Sequence, residues 1–164
     1  ISMRPGECSL PIAPRPCTHN QYEFPGQYEA LPHRGYVCLA TWRQDGFTSL
    51  EAKTEGFCAT VPFTFEGGRL QVNAWTQFGG GIRVELADTS VQTKCARTEW
   101  EPGQGSGSET IPGYSFADSD PISGDGLNHM VTWNGESDLS AWAGKSIRLR
   151  FHLRRARLHA IRFT

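Results

Sequence analysis

The stretch "DSDPISGDG" gathers Asp118, Asp120 and Asp125 within eight residues, a density of carboxylates that admits three kinds of chemistry. Two of them could serve as the facing acid and base of a glycosidase, which sets its carboxyl groups roughly 5–9.5 Å apart across a cleft. All three could join backbone carbonyls around a calcium ion, which takes about six to eight oxygens. Aspartates beside Pro and Gly in one short loop are more often turn formers, their carboxylates accepting nearby amide hydrogens. The spacing is not that of an EF-hand, because Pro121 follows Asp120 and no Glu closes the loop. No G-x-S-x-G, H-E-x-x-H or P-loop pattern occurs anywhere in the chain. The chain is therefore read as non-catalytic, with the loop as a turn and Asp118, Asp120 and Asp125 as the ligand set if a structural calcium is bound.

Sugar recognition is a separate chemistry, in which an exposed aromatic face stacks on the C–H face of a pyranose. Trp42, Trp75, Trp100, Trp133 and Trp142 are the tryptophans available. In "LNHMVTW", Trp133 is in phase with Leu127, His129 and Val131, so it belongs to a core. Trp75, beside "TQFGGG", and Trp100, in a polar loop, fall at rims and are the candidate carbohydrate-binding residues. His129 reads as a core histidine bracing the acidic loop through its backbone or an Asp.

Cys8, Cys17, Cys38, Cys58 and Cys95 contain no C-x-x-C and no Cys/His cluster at zinc spacing. They are candidates for disulfides, which places the chain in an oxidising, extracellular setting. Five is an odd number, so one thiol is left free or bonds to another chain, and the pairing stays open.

Net charge is −1, yet it is unevenly spread: all seventeen acids lie at or before Asp138, and Lys145, Arg148, Arg150, Arg154, Arg155, Arg157 and Arg162 follow with none. A basic stripe of this kind can meet a polyanion. Nucleic-acid readers add a basic net charge and a motif, both lacking here, so nucleic acid is not an expected partner. The simpler expectation is a basic strand paired across a sheet with acids such as Glu85.

Positioning these residues falls to short strands. Eighteen Gly and ten Pro with few helical periodicities point to an all-β fold. Six prolines and two cysteines lie in residues 1–35, an extended Pro/Cys-rich arm, since proline cannot donate to a sheet interior. Strands are expected at "GYVCLATW", "FTSLEAK", "ATVPFTF", "LQVNAW" and "GGIRVELAD", with Glu66-Gly67-Gly68 as a hairpin turn. Residues 89–112 form a long polar insertion. "SDLSAW" is the one helical turn, with Ser137 as its N-cap. In the last segment Ile147, Leu149, Phe151 and Leu153 alternate with Arg148, Arg150, His152 and Arg154, and a second apolar set follows, so a tight turn or bulge lies near Arg155-Ala156. No apolar run is long enough to span a membrane. Starting at Ile1 without a Met or a signal peptide, the chain reads as a processed mature protein or a fragment of a longer one.

Taken together, "QDGFTSLEA", "TFEGGRLQVNA", "GIRVELAD", "IPGYSFADSDPISGD", "HMVTWNG" and "SDLSAWAGKSIRLRFHLRRARLHAIRF" resemble the C-terminal β-sandwich module of secreted bacterial glycoside-hydrolase-like proteins of the five-bladed propeller plus β-sandwich type, here without the propeller. The resemblance spans residues 36–164 apart from the insertion. It implies a single jelly-roll-like antiparallel β-sandwich over 36–164, with catalytic carboxylates, where such an enzyme has them, on the absent propeller. The expected function is a non-catalytic extracellular binding module for a glycan or another extracellular protein. Two alternatives stand beside it: a subunit of a homo-oligomer or larger extracellular assembly, using the arm and an interchain disulfide, and the C-terminal accessory fragment of a glycosidase-like enzyme.

Overall fold

In a computed structural model, residues 7–12, 38–89 and 109–164 are described. Seven strands are assigned to them: β1 (Glu7–Ile12), β2 (Cys38–Arg43), β3 (Leu50–Ala59), β4 (Leu70–Asp88), β5 (Glu109–Thr110), β6 (Asp125–Met130) and β7 (Ile147–Phe163). The fold is all-β and every ladder is antiparallel. Two compact units part between Gln44 and Asp45.

The first unit holds a two-stranded ladder in which Cys8 stands opposite Trp42 and Ile12 opposite Cys38. The strand expected at "GYVCLATW" therefore pairs with a piece of the arm of its own chain. Pro11 lies within β1, which a short two-stranded ladder tolerates because each strand has an unpaired edge.

In the second unit the sheet runs β3-β7-β4, with β5 and β6 both paired to β4. Period-two alternation builds its centre. Ile82, Val84 and Leu86 from β4 and Ile147, Leu149, Phe151 and Leu153 from β7 point into the core, as their spacing predicts. Leu70, Val72 and Ala74 from the first half of β4, with Ala156 and Leu158 from the second half of β7, enter the same core. Both halves line one core because an irregularity between them resets the alternation and bends the strands locally. The bend sits where the sequence places it: Arg155 has φ 45°, and the buried phase of β7 shifts from odd to even positions between Leu153 and Ala156.

Several local expectations are corrected. "LQVNAW" and "GGIRVELAD" are one strand, β4, interrupted by irregular register between Thr76 and Gly81. Glu66-Gly67-Gly68 is not a hairpin turn. After β3 the chain touches β7 through Thr60 at Leu149, the Phe63–Ile147 bridge and the Phe63 and Phe65 rings against Phe163, and the amides of Gly68 and Arg69 donate to the Thr164 carbonyl at 2.8 and 3.0 Å. "SDLSAW" holds a single 3-10 turn, Ser140–Trp142, and Ser137 does not cap it. Asp138 does the local bonding instead, accepting from the Ser140 amide at 2.9 Å and its hydroxyl at 2.6 Å.

Candidate functional site

Two arginines of the stripe, Arg150 and Arg157, form cross-strand pairs with acids. Glu85 and Arg150 face one another in register, and the Arg150 guanidinium donates to Glu85 at 2.5 Å, with both side chains buried. Glu51 accepts from Arg157 at 3.1 Å on a more exposed part of the sheet. His152 lies 2.6 Å from Glu55 and stacks on Phe57, with ring centroids 4.4 Å apart.

The acidic loop is architectural in its bonding. Asp118 accepts from the Ser115 hydroxyl at 2.6 Å, the Ser115 amide at 3.1 Å and the Asn134 carboxamide at 3.3 Å. Asp120 accepts from the Thr132 hydroxyl at 2.6 Å and the Gly135 amide at 2.8 Å. These donors favour the ionised forms and hold both carboxyls below the ordinary Asp range, the Ser115 hydroxyl contributing most at Asp118 and the Thr132 hydroxyl at Asp120. Asp125 begins β6 opposite Trp75. Among the described residues no three His, Cys, Asp or Glu side chains converge as a metal site.

The loop also completes an edge. On the side of β4 away from β7, Ile122 exchanges both backbone bonds with Ile82, Ser119 Oγ accepts from the Val84 amide at 3.0 Å, and Trp133 Nε1 donates to the Val84 carbonyl at 2.8 Å. Arg83 reaches under it to the carbonyls of Phe116 and Ser119. Side chains thus satisfy backbone groups that a further strand would otherwise take.

His129 does not brace this loop. It packs over Gly126, where a Cβ would come within 2.7 Å of its Nε2, and that nitrogen has no hydrogen-bond partner among the described residues. Cys8 and Cys58 stand as free thiols, and burial raises the Cys58 pKa. Cys17, Cys95, Trp100 and the side chain of Cys38 lie outside the described residues.

The bonding of the loop has a pH consequence. Both carboxyls titrate lower folded than unfolded, so their stabilisation is complete above the usual Asp value of 3.8 and is lost as pH falls through the depressed folded values. Asp120→Ala is expected to lower the thermal midpoint at neutral pH and to flatten the fall in stability on acidification. Thermal melts from pH 7 down to pH 2 check this, and an unchanged acid limb would contradict it. Repeating the melts with a chelator or with added calcium reports directly on the calcium reading.

A second polar feature lies on the outer side of the first half of the sheet. Gln71 and Asn73 alternate with the core residues Leu70, Val72 and Ala74 along β4, and Ala160 and Arg162 stand beside them on β7. With Leu127 from β6 and Asp45 from the turn before β3, they line a groove of about 380 Å³. Asp45 turns the chain there with φ 51°, a conformation Asp tolerates better than most residues. Arg162 is held by Asn128, a neutral acceptor. Trp75 continues the row two residues beyond Asn73, roughly 7 Å further along a strand. Its ring is 37% exposed, with the Arg157 guanidinium 5.4 Å from its centroid.

Trp75 is thus the expected aromatic that the described structure leaves accessible. Gln71, Asn73 and Arg162 were not legible as a group. Alternation sets the first two on the face opposite Leu70, Val72 and Ala74, although Asn73 is itself buried at 5% exposed, and only the register brings Arg162 beside them. No family model, curated protein or solved structure matches the chain.

Proposed function

We infer that the chain is a non-catalytic, extracellular β-sandwich module of jelly-roll type that binds glycan. The observation carrying this reading is the groove of Asp45, Gln71, Asn73 and Arg162, extended by the accessible face of Trp75. The Asp45 carboxylate, the Arg162 guanidinium and the Gln71 carboxamide present donors and acceptors in the mixture that vicinal hydroxyls use, with Asn73 buried at the groove floor. Leu127, Ala160 and Ile161 supply apolar surface beneath them, and the Trp75 ring can stack on a sugar face. The bend that brings two sheet halves onto one core supports the sandwich, and the quoted motifs support its kinship with accessory modules of secreted glycosidase-like proteins.

A glycan array tests the reading. The wild type is expected to retain a defined set of glycans, with Trp75→Ala and Arg162→Gln each weakening binding about tenfold, as loss of a central interface contact of roughly 1.4 kcal/mol would. Retention of no glycan, or retention insensitive to both changes, would remove it.

A further inference from the structure

The register irregularities of the three central strands fall on one row. β3 slips between Ala52 and Glu55, β4 between Thr76 and Gly81, and β7 turns at Arg155 between them. Where the core-facing side of a sheet folds inward, the surplus residues are pushed out on the other side. Arg154 and Arg155 are consecutive and both exposed, because the alternation breaks there. Lys53 and Thr54 project from β3, and Gln77, Phe78 and Gly79 project from β4. The β4 loop is seated on the bend: a Cβ on Gly80 would lie 2.6 Å from the carbonyl oxygens of both Arg154 and Arg155.

Two properties of this ridge need a partner. Phe78 is 98% exposed, the most exposed large apolar side chain among the described residues. Lys53, Arg154 and Arg155 form no ion pair among the described residues, whereas Glu55, the acid on this row, is engaged by His152. The excess is cationic, and an unsupported phenyl ring stands within it.

We propose that this ridge docks on an anionic lipid surface, with Phe78 entering the headgroup–acyl boundary and Lys53, Arg154 and Arg155 contacting lipid phosphates and carboxylates. The cations alone would suit any polyanion. The protruding ring decides for a bilayer, because entry removes its apolar area from water while the arginines stay at headgroup level. The ridge adjoins the groove at Trp75 but shares no residue with it, and the proposal does not depend on the glycan reading.

Sedimentation with vesicles of phosphatidylcholine alone, or mixed with phosphatidylserine, tests the proposal. The protein is expected to pellet with the mixed vesicles and to be released by salt. Phe78→Ser removes no packing, since the ring touches little, and is expected to lower partitioning about tenfold. Arg154→Gln and Arg155→Gln are each expected to lower it about fivefold. Lys145→Gln, a cation near Trp142 and off the ridge, is expected to change little. Equal behaviour with both vesicle types, or no sedimentation, would overturn the proposal. So would a Lys145→Gln effect as large as that of the ridge arginines. Full binding by Phe78→Ser together with displacement by heparin would assign the ridge to a soluble polyanion instead.

Discussion

Replacing Glu85 with Ala is expected to destabilise the protein by about 3–5 kcal/mol, among the largest effects of any single polar substitution in the sheet. Glu85 and Arg150 are 8% and 5% exposed and sit opposite each other in the central β4–β7 ladder. The bond is 2.5 Å long, and the same guanidinium nitrogen also donates to the Thr110 hydroxyl at 3.4 Å. Removing the carboxylate leaves a buried cation without its in-register counter-charge. The penalty is the cost of stranding the charge and not the worth of the pair, so Glu85→Leu combined with Arg150→Met is expected to recover most of it. For a chain of this size the single change should lower the thermal midpoint by about 10 °C. Glu51→Ala breaks a pair with roughly half-exposed partners and is expected to cost at most about 1 kcal/mol, with an effect that salt screens. Urea titrations of the wild type and these three variants at neutral pH separate these cases. A Glu85→Ala cost near that of Glu51→Ala would show that water reaches Arg150.

Charge and alternation marked Glu85 in advance as an acid that a basic strand would face, and the reason is general to the centre of a sheet. A strand with one buried face must repeat with period two, so Ile82, Val84 and Leu86 identified their own core face, and the slip from Leu153 to Ala156 announced the bulge at Arg155. What local pattern does not encode is the partner. Gly67-Gly68 has the composition of a hairpin turn, yet it receives the chain terminus at Thr164, which lies nearly one hundred residues away in sequence. Pro121 and the glycines around it gave the acidic loop away as a turn, and the donors on Asp118 and Asp120 agree. The bracing role given to His129 failed at Nε2, which packs against Gly126, where there is no Cβ, and has no hydrogen-bond partner among the described residues. The groove lay beyond reach for the same reason as the turn at Gly67. Asp45, Gln71, Leu127 and Arg162 come from four segments and share a surface only through register.

Two tryptophans then offer the sharpest contrast between stability and binding. Trp133→Ala is expected to cost about 3–5 kcal/mol, because the side chain is 2% exposed, packs edge-on against Tyr114 at 5.2 Å and donates to the Val84 carbonyl at 2.8 Å. Its loss opens a cavity and also leaves the Val84 carbonyl without that donor, which loosens the acidic loop from the β4 edge. Trp133→Phe keeps most of the packing and removes only the indole donor, so it should cost less, about 1–3 kcal/mol. Trp75→Ala, by contrast, removes a ring that is partly in water and whose recorded contact is the Arg157 cation, worth about 0.5–1 kcal/mol at an exposed site. Its effect on unfolding should be small while its effect on glycan retention is large. Denaturant titration and array binding on the same three variants resolve the two roles. If Trp75→Ala unfolds the protein as readily as Trp133→Ala does, the outer ring is part of the core and the groove beside it loses its stacking platform.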